Sequence, residues 1–234
     1  MPDQNTIGHH RSQTTRDGYG ILITHEHSDH IKGLGVLSRK YHVPVYGTRE
    51  TLDEIASSGS LGEFDRDLLT PICPDVDFTL GDLNVRPFKI DHDAANPVAY
   101  RVNCGDKSVA VATDMGHFDQ YIIDNLQGLD ALLLESNHDV RMLETGPYPY
   151  YLKRRILGDH GHLSNENAGR LLNCVLHDKL KKVFLGHLSK ENNYEELAYE
   201  TVRLEIDEGD CPYGASDFSI SVAGRDCMSE VVYL

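Results

Sequence analysis

The chain has 234 residues, 22 of them basic and 37 acidic, which gives a formal net charge of −15. That length suits one domain with a buried core, and no apolar run approaches the roughly 18 residues that a membrane-spanning helix needs. The acidic balance opposes nucleic-acid binding, because its long-range field repels phosphates. Five scattered cysteines without a C-x-x-C motif indicate reduced thiols in a cytoplasmic protein.

The first segment, residues 1–19, is polar and lacks periodic apolar positions. It predicts a loop or a disordered N-terminus, and it lacks the apolar stretch of a signal peptide. From residue 20 onward no linker is long enough to divide the chain. We therefore expect one folded domain over residues 20–234.

Apolar runs and helical repeats predict the secondary structure of that domain. Early strands pair in hairpins, and the later half alternates strand with helix, which fits two packed sheets with outer helices in the α/β class. The predicted strands are 21–23, 44–46, 78–80, 83–90, 97–103, 108–113, 130–135, 182–185, 218–222 and 231–234. The predicted helices are 31–41, a helix capped by Thr48 that ends near residue 57, 165–180 and 194–206.

A dense group of ligand-type residues follows the first strand directly, in the pattern His25-x-His27-x-Asp29-His30. On an extended segment His25 and His27 point the same way. Asp29 and His30 follow where the chain turns into a helix, and they can face a second point nearby. This arrangement favours two adjacent metal ions. Neutral imidazoles and carboxylates suit zinc, manganese or iron.

Three further ligand candidates each follow an apolar strand at a distance along the chain: His92, Asp114 and His187. Strand ends in layered α/β folds bring distant residues together. Any one of the three alone could be a hydrogen-bonded structural histidine or a helix-capping aspartate. Their common placement favours metal binding.

These motifs resemble a known family. The pattern at residues 25–30 resembles the HxHxDH signature of metallo-β-lactamase fold hydrolases. The segments Glu135-Ser136-Asn137-His138-Asp139, Gly161-His162-Leu163-Ser164-Asn165 and Gly186-His187-Leu188-Ser189 resemble the WalJ (YycJ) type, a bacterial group of DNA-processing exonucleases. The resemblance implies a four-layer αββα metallo-β-lactamase fold. Members of the group begin with further strands, which this chain is expected to lack.

The resemblance also implies the roles of the ligand candidates. One ion would be held by His25, His27 and His92, the other by Asp29, His30 and His187, with Asp114 bridging. Two divalent ions, zinc or alternatively manganese, would share a hydroxide that attacks a phosphoryl group in line. Asp29 would also orient this hydroxide as a catalytic residue.

His162 is the second predicted catalytic residue. In phosphodiesterase relatives a histidine at the matching place binds the scissile phosphate or protonates the leaving oxygen. The alternative is that Ser164 or Asn165 caps the following helix and His162 only packs against it.

Four residues are predicted to bind substrate. Arg154 and Arg155, next to Lys153, form the one concentrated basic run, which would hold phosphates or alternatively face solvent. His138 and Ser164 complete the set. Three tyrosines, Tyr148, Tyr150 and Tyr151, could stack on bases or, between prolines, brace a rigid loop.

The leading hypothesis is a dinuclear metal-dependent phosphodiesterase, by resemblance a 5′→3′ exonuclease acting on DNA. The first alternative is a small-molecule hydrolase of a lactone, thioester or β-lactam, which the acidic surface would suit. The second is an inactive truncated fragment that binds metal or a partner. No membrane partner is expected, and the sequence leaves the oligomeric state open.

Overall fold

A computed structural model describes residues 19–62 and 65–234. Within them the strands are β1 (Ile21–Leu22), β2 (Val45–Thr48), β3 (Leu69–Ile72), β4 (Phe78–Leu80), β5 (Leu83–Lys89), β6 (Val98–Cys104), β7 (Lys107–Ala112), β8 (Ala131–Glu135), β9 (Lys182–Gly186) and β10 (Ile220–Val222). The α-helices are α1 (Ser28–Ile31), α2 (Leu34–Tyr41), α3 (Arg49–Ser57), α4 (Gln120–Leu126), α5 (Val140–Thr145), α6 (Tyr150–Leu157), α7 (Asn165–Val175) and α8 (Glu195–Asp207).

The smaller sheet is built from the first part of the chain. Its three strands are parallel and follow one another in the order β1-β2-β3, with helices in the connections. The hydroxyl of Thr48 accepts a hydrogen bond from the backbone N–H of Thr51, so it caps α3 as predicted. The sheet and its helices share an apolar core of Ile23, Ile31, Leu34, Val45, Leu52, Ile55 and Leu61.

The larger sheet has seven strands in the order β10-β9-β8-β7-β6-β5-β4. Strands β4 to β7 pair antiparallel, whereas β7 to β10 pair parallel. Helices α7 and α8 pack on each other beside it, and the main apolar core includes Leu132, Leu134, Leu171, Leu172 and Leu185, all fully buried. Because β7, β8 and β9 run parallel, their carboxyl ends meet at one edge.

The predicted α/β architecture of two sheets with helices is confirmed, and most strands lie within two residues of their predicted bounds. Three details were wrong. The helix predicted over 31–41 is broken before Leu34, and the one over 165–180 ends at Val175 because Leu176 is extended. Residues 223–234 contain no strand, although one was predicted over 231–234. Sequence patterns also missed β3, α4, α5 and α6, which are all short.

The N-terminal prediction concerns residues 1–19, of which 1–18 lie outside the described part. The expected absence of strands before β1 also concerns residues 1–18, which lie outside the described part. Among the described residues, every helix is too short or too polar to cross a bilayer.

Gly116 lies where the loop after β7 meets the loop before α7. A Cβ atom at this position would overlap the backbone carbonyl of Asp159, so a side chain requires backbone movement. We expect Gly116→Ala to destabilise the fold by about 1–3 kcal/mol, seen as a lower melting temperature. Gly33→Ala is the control, because no heavy atom lies within 4 Å of the Cβ it would add. Equal melting temperatures for the two variants would contradict this account of Gly116.

Candidate metal centre

The structure brings together the seven side chains predicted as metal ligands. They form overlapping groups in which one ligand atom per residue lies within 4.8 Å of the others. The groups are His25, His27 and His92; His25, His30 and Asp114; and Asp29, His30 and His187. The loop after β1 supplies His25 and His27, the short helix α1 supplies Asp29 and His30, and the loops after β5, β7 and β9 supply the rest. The cluster therefore joins the small sheet to the large one, and its role in metal binding stays a prediction.

Asp114 lies at the middle of this cluster. Its side chain is 2% exposed. Its Oδ2 is 3.4 Å from Nε2 of His30, and its Oδ1 is 3.6 Å from Nε2 of both His92 and His187. The carboxylate thus contacts residues assigned to both ions, which is the position that a bridging ligand needs.

The imidazoles are oriented through their second ring nitrogen. Nδ1 of His92 donates to the carbonyl of Gly161 at 3.1 Å. The hydroxyl of Thr24 lies 3.1 Å from Nδ1 of His25 and 3.4 Å from Nδ1 of His30. The Nε2 atoms of all three rings face the cluster, where Nε2 of His92 lies 3.2 Å from Nδ1 of His27. Metal-binding histidines are commonly held by a hydrogen bond on the other nitrogen in this way.

Two of the predicted ligands have left-handed backbone conformations. Asp114 has a φ of 62° and His187 a φ of 57°. Such angles are uncommon for residues other than glycine, and they concentrate at functional sites where the surroundings enforce them. The backbone at both strand ends is therefore held in the conformation that turns these side chains into the cluster.

The chemistry of the cluster fits a divalent cation. His25 Nε2 and Asp114 Oδ2 are buried without a hydrogen-bond partner among the described residues, and buried polar atoms ordinarily have one. Burial, followed by four neighbouring imidazoles, lowers the pKa of His25 to about 2, which keeps its ring neutral. Neutral imidazoles and carboxylates are ligands of zinc and manganese.

Glu135 is a site residue that sequence reasoning missed. It is fully buried at the end of β8. Its Oε1 accepts hydrogen bonds from Nδ1 of His162 at 2.9 Å and of His187 at 2.8 Å, and its Oε2 accepts from the backbone N–H groups of Met115 and Leu163. The sequence did offer one signal for Glu135, which is a charged residue at the end of a continuous apolar strand.

The carboxylate of Glu135 also shapes the electrostatics of its partners. Burial raises its pKa, but the hydrogen bonds from the two imidazoles outweigh burial and bring the pKa below its usual value. Burial lowers the pKa of His187, whereas Glu135, Asp114 and Asp29 raise it to about 9. These carboxylates therefore favour positive charge around His187.

A cleft of about 690 Å³ opens beside the cluster. Both predicted catalytic residues, Asp29 and His162, line it, and so does Arg155, which pairs with Asp93. Arg154 is exposed and lies outside the lining.

The other two predicted substrate contacts, His138 and Ser164, are 1% and 5% exposed, and neither borders the cleft. Their assignment as substrate contacts stays a prediction that this burial does not support. Ser164 instead caps α7 by accepting from the N–H of Asn167. The alternative interpretation was that Ser164 caps this helix and His162 only packs against it. The structure has the cap, but His162 also lines the cleft.

Comparison with known proteins gives a family match over most of the chain. Residues 2–187 match the family described as the β-lactamase superfamily domain. The chain is 41% identical over 200 residues to the exodeoxyribonuclease WalJ of Streptococcus pneumoniae, covering 86% of this chain and 74% of the relative. It is 42% identical over 192 residues to the exodeoxyribonuclease YycJ of Bacillus anthracis, covering 82% and 72%.

Solved structures share the fold at lower identity. Zn²⁺-bound PqqB from Methylobacterium extorquens superposes with a TM-score of 0.63 at 17% identity, covering 88% of this chain and 71% of that one. The metallo-β-lactamase fold protein YhfI from Bacillus subtilis gives 0.59 at 18% identity, covering 87% and 74%.

Proposed function

The chain belongs to the β-lactamase superfamily and is a hydrolase of the metallo-β-lactamase fold, and from this premise we propose that it is a metal-dependent 5′→3′ exonuclease acting on DNA. The observation that carries the proposal is the buried placement of Asp114 between the two groups of imidazoles, next to His30 and His187, which line an open cleft. The curated exodeoxyribonucleases support DNA as the substrate.

In this proposal the cluster holds two divalent ions, most simply zinc because imidazole nitrogens dominate the ligand set. The ligands are His25, His27 and His92 for one ion, Asp29, His30 and His187 for the other, and Asp114 for both. Bound there, the ions supply a water-derived nucleophile at neutral pH and neutralise charge on the phosphate.

The side chains around the cluster carry out the remaining steps. Asp29 has a side chain 70% exposed at the cleft, and in this proposal it orients the attacking water. His162 uses Nδ1 to bind Glu135, so its Nε2 remains for the scissile phosphate or the leaving oxygen. Glu135 positions His162 and His187 at a fixed separation.

The overall acidity of the chain must be offset near the cleft. Lys190 and Arg225 line it and offer positive charge for phosphates, whereas Arg155 is paired with Asp93, and the acidic Asp29 and Glu195 share the lining. We place this activity in the cytoplasm, in keeping with a DNA substrate and with five free cysteines.

Digestion of end-labelled DNA tests the proposed function. We expect the zinc- or manganese-loaded protein to release mononucleotides from the 5′ end at low salt, and we expect a chelator to stop the reaction. A strand labelled at its 3′ end should shorten progressively, and a lactone panel serves as the substrate control. Lactone cleavage without any DNA digestion at low salt would show that the enzyme is a small-molecule hydrolase instead.

A further inference from the structure

The cleft contains an aromatic and apolar part that the chemistry at the phosphate does not use. Tyr148 and Tyr194 line it together with Leu133, Leu152, Ile156, Leu188 and Ala223. The metal-centre residues His30, His162 and His187 line the same cleft. A ligand with a phosphate on one side and a flat apolar group on the other would therefore match its walls.

Both tyrosines are carried by backbone that is held firmly. Tyr148 lies between Pro147 and Pro149, whose rings fix the local φ angles. The N–H of Tyr194 donates to the side-chain oxygen of Asn193 at 3.0 Å. The amide of Asn193 in turn donates to the carbonyls of Ser136 and Asn137. Rigid aromatic side chains lose little entropy on binding, which suits them to stacking.

The size of the cleft limits what it can hold. A volume of about 690 Å³ is that of a small-molecule pocket, which buries a ligand of drug size. A DNA duplex is far larger, and its internal bases are stacked on both faces and paired, so a base enters the cleft only after it has left the stack. The walls suit a nucleotide that has already separated from its complement.

We propose that this cleft is a subsite for one unpaired terminal nucleotide, whose base lies against Tyr148 and Tyr194 while its phosphate lies at the metal centre. The terminal nucleotide of a double-stranded end must then separate from its complement before it is removed. The inference rests on the proposed function and specifies how that function engages a DNA end.

An abasic nucleotide tests the subsite with the unaltered protein. Two oligonucleotides are compared that differ only in whether the 5′-terminal residue carries a base. Losing one base–aromatic stack is expected to slow removal of that residue about tenfold. It should also weaken binding of a 3′-labelled, nuclease-resistant phosphorothioate strand to the metal-loaded protein by a similar factor, measured by fluorescence anisotropy. An abasic residue at the 3′ end should change neither quantity.

Variants and duplexes give independent readouts. Tyr148→Leu and Tyr194→Leu should each remove most of the difference between the two oligonucleotides, whereas Tyr150→Leu should keep it. Tyr150 is 76% exposed on α6 and does not border the cleft. A duplex whose terminal pair is mismatched should be digested faster than its matched counterpart.

The outcomes separate this inference from the proposed function. DNA digestion at equal rates with and without the terminal base would overturn the subsite and leave the exonuclease standing. If DNA is not digested, the exonuclease proposal fails, and the binding measurement alone tests the subsite. Equal affinity for the two oligonucleotides would then overturn the subsite.

Discussion

Replacing Asp114 with asparagine is expected to lower the rate of DNA hydrolysis on the order of a thousandfold and to reduce the bound metal below two equivalents per chain. The buried carboxylate is the group shared by His30, His92 and His187, so losing its charge affects both ions. Asparagine tolerates the left-handed backbone nearly as well as aspartate. The substitution therefore changes the ligand and leaves the loop in place.

Asp75→Asn provides the matched control. Asp75 also has a φ of 62°, but it is exposed and accepts a hydrogen bond from Tyr121 away from the cluster. Activity is measured on end-labelled DNA and metal content by elemental analysis of the dialysed protein. Two full metal equivalents and an unchanged rate in Asp114→Asn would remove the bridging assignment.

Glu135→Gln is expected to weaken metal binding or turnover by about 10–100-fold, the usual effect of losing a partner that orients a ligand. The carboxylate accepts four hydrogen bonds from its surroundings. An amide keeps the shape but turns one acceptor into a donor, so either the two imidazoles or the two backbone N–H groups lose their acceptor. In both cases His162 and His187 lose the negative charge that holds them.

In Glu135→Gln, the loss of a positioning role can be distinguished from a general loss of stability by measuring both. Metal affinity and kcat are measured beside the melting temperature, and Glu205→Gln is the control, because Glu205 pairs with Arg170 at the surface. A lower melting temperature with unchanged metal affinity and kcat would show that Glu135 is only structural.

The sequence predicted which seven side chains converge because its signals are local, whereas metal binding by them stays a prediction. His25, His27, Asp29 and His30 lie within six consecutive positions after an apolar run, and His92, Asp114 and His187 each follow a recognisable strand. Strand periodicity shows where each strand ends, and parallel pairing of β7 with β8 and of β8 with β9 then brings the carboxyl ends of β7 and β9 together. No comparable signal reveals the partners of Glu135, which lie across the sheet on segments distant in sequence.

Side-chain exposure was the property that sequence patterns could not supply. His138 and Ser164 stand in motif-like segments, yet the bridge between the two residues places both in the interior. Lys153, at the start of the basic run, is used to cap α5 by donating to the carbonyls of Glu144 and Gly146. Of that run only Arg155 borders the cleft.

The distribution of the cluster over both sheets has a consequence for biosynthesis. The segment from His25 to His30 and the whole small sheet leave the ribosome early, because the chain is made from its N-terminus. His187 follows β9, near the end of the larger sheet. With the proposed ligands, a nascent chain would carry an incomplete chelating set until this strand has been made, and cation capture would come late in maturation.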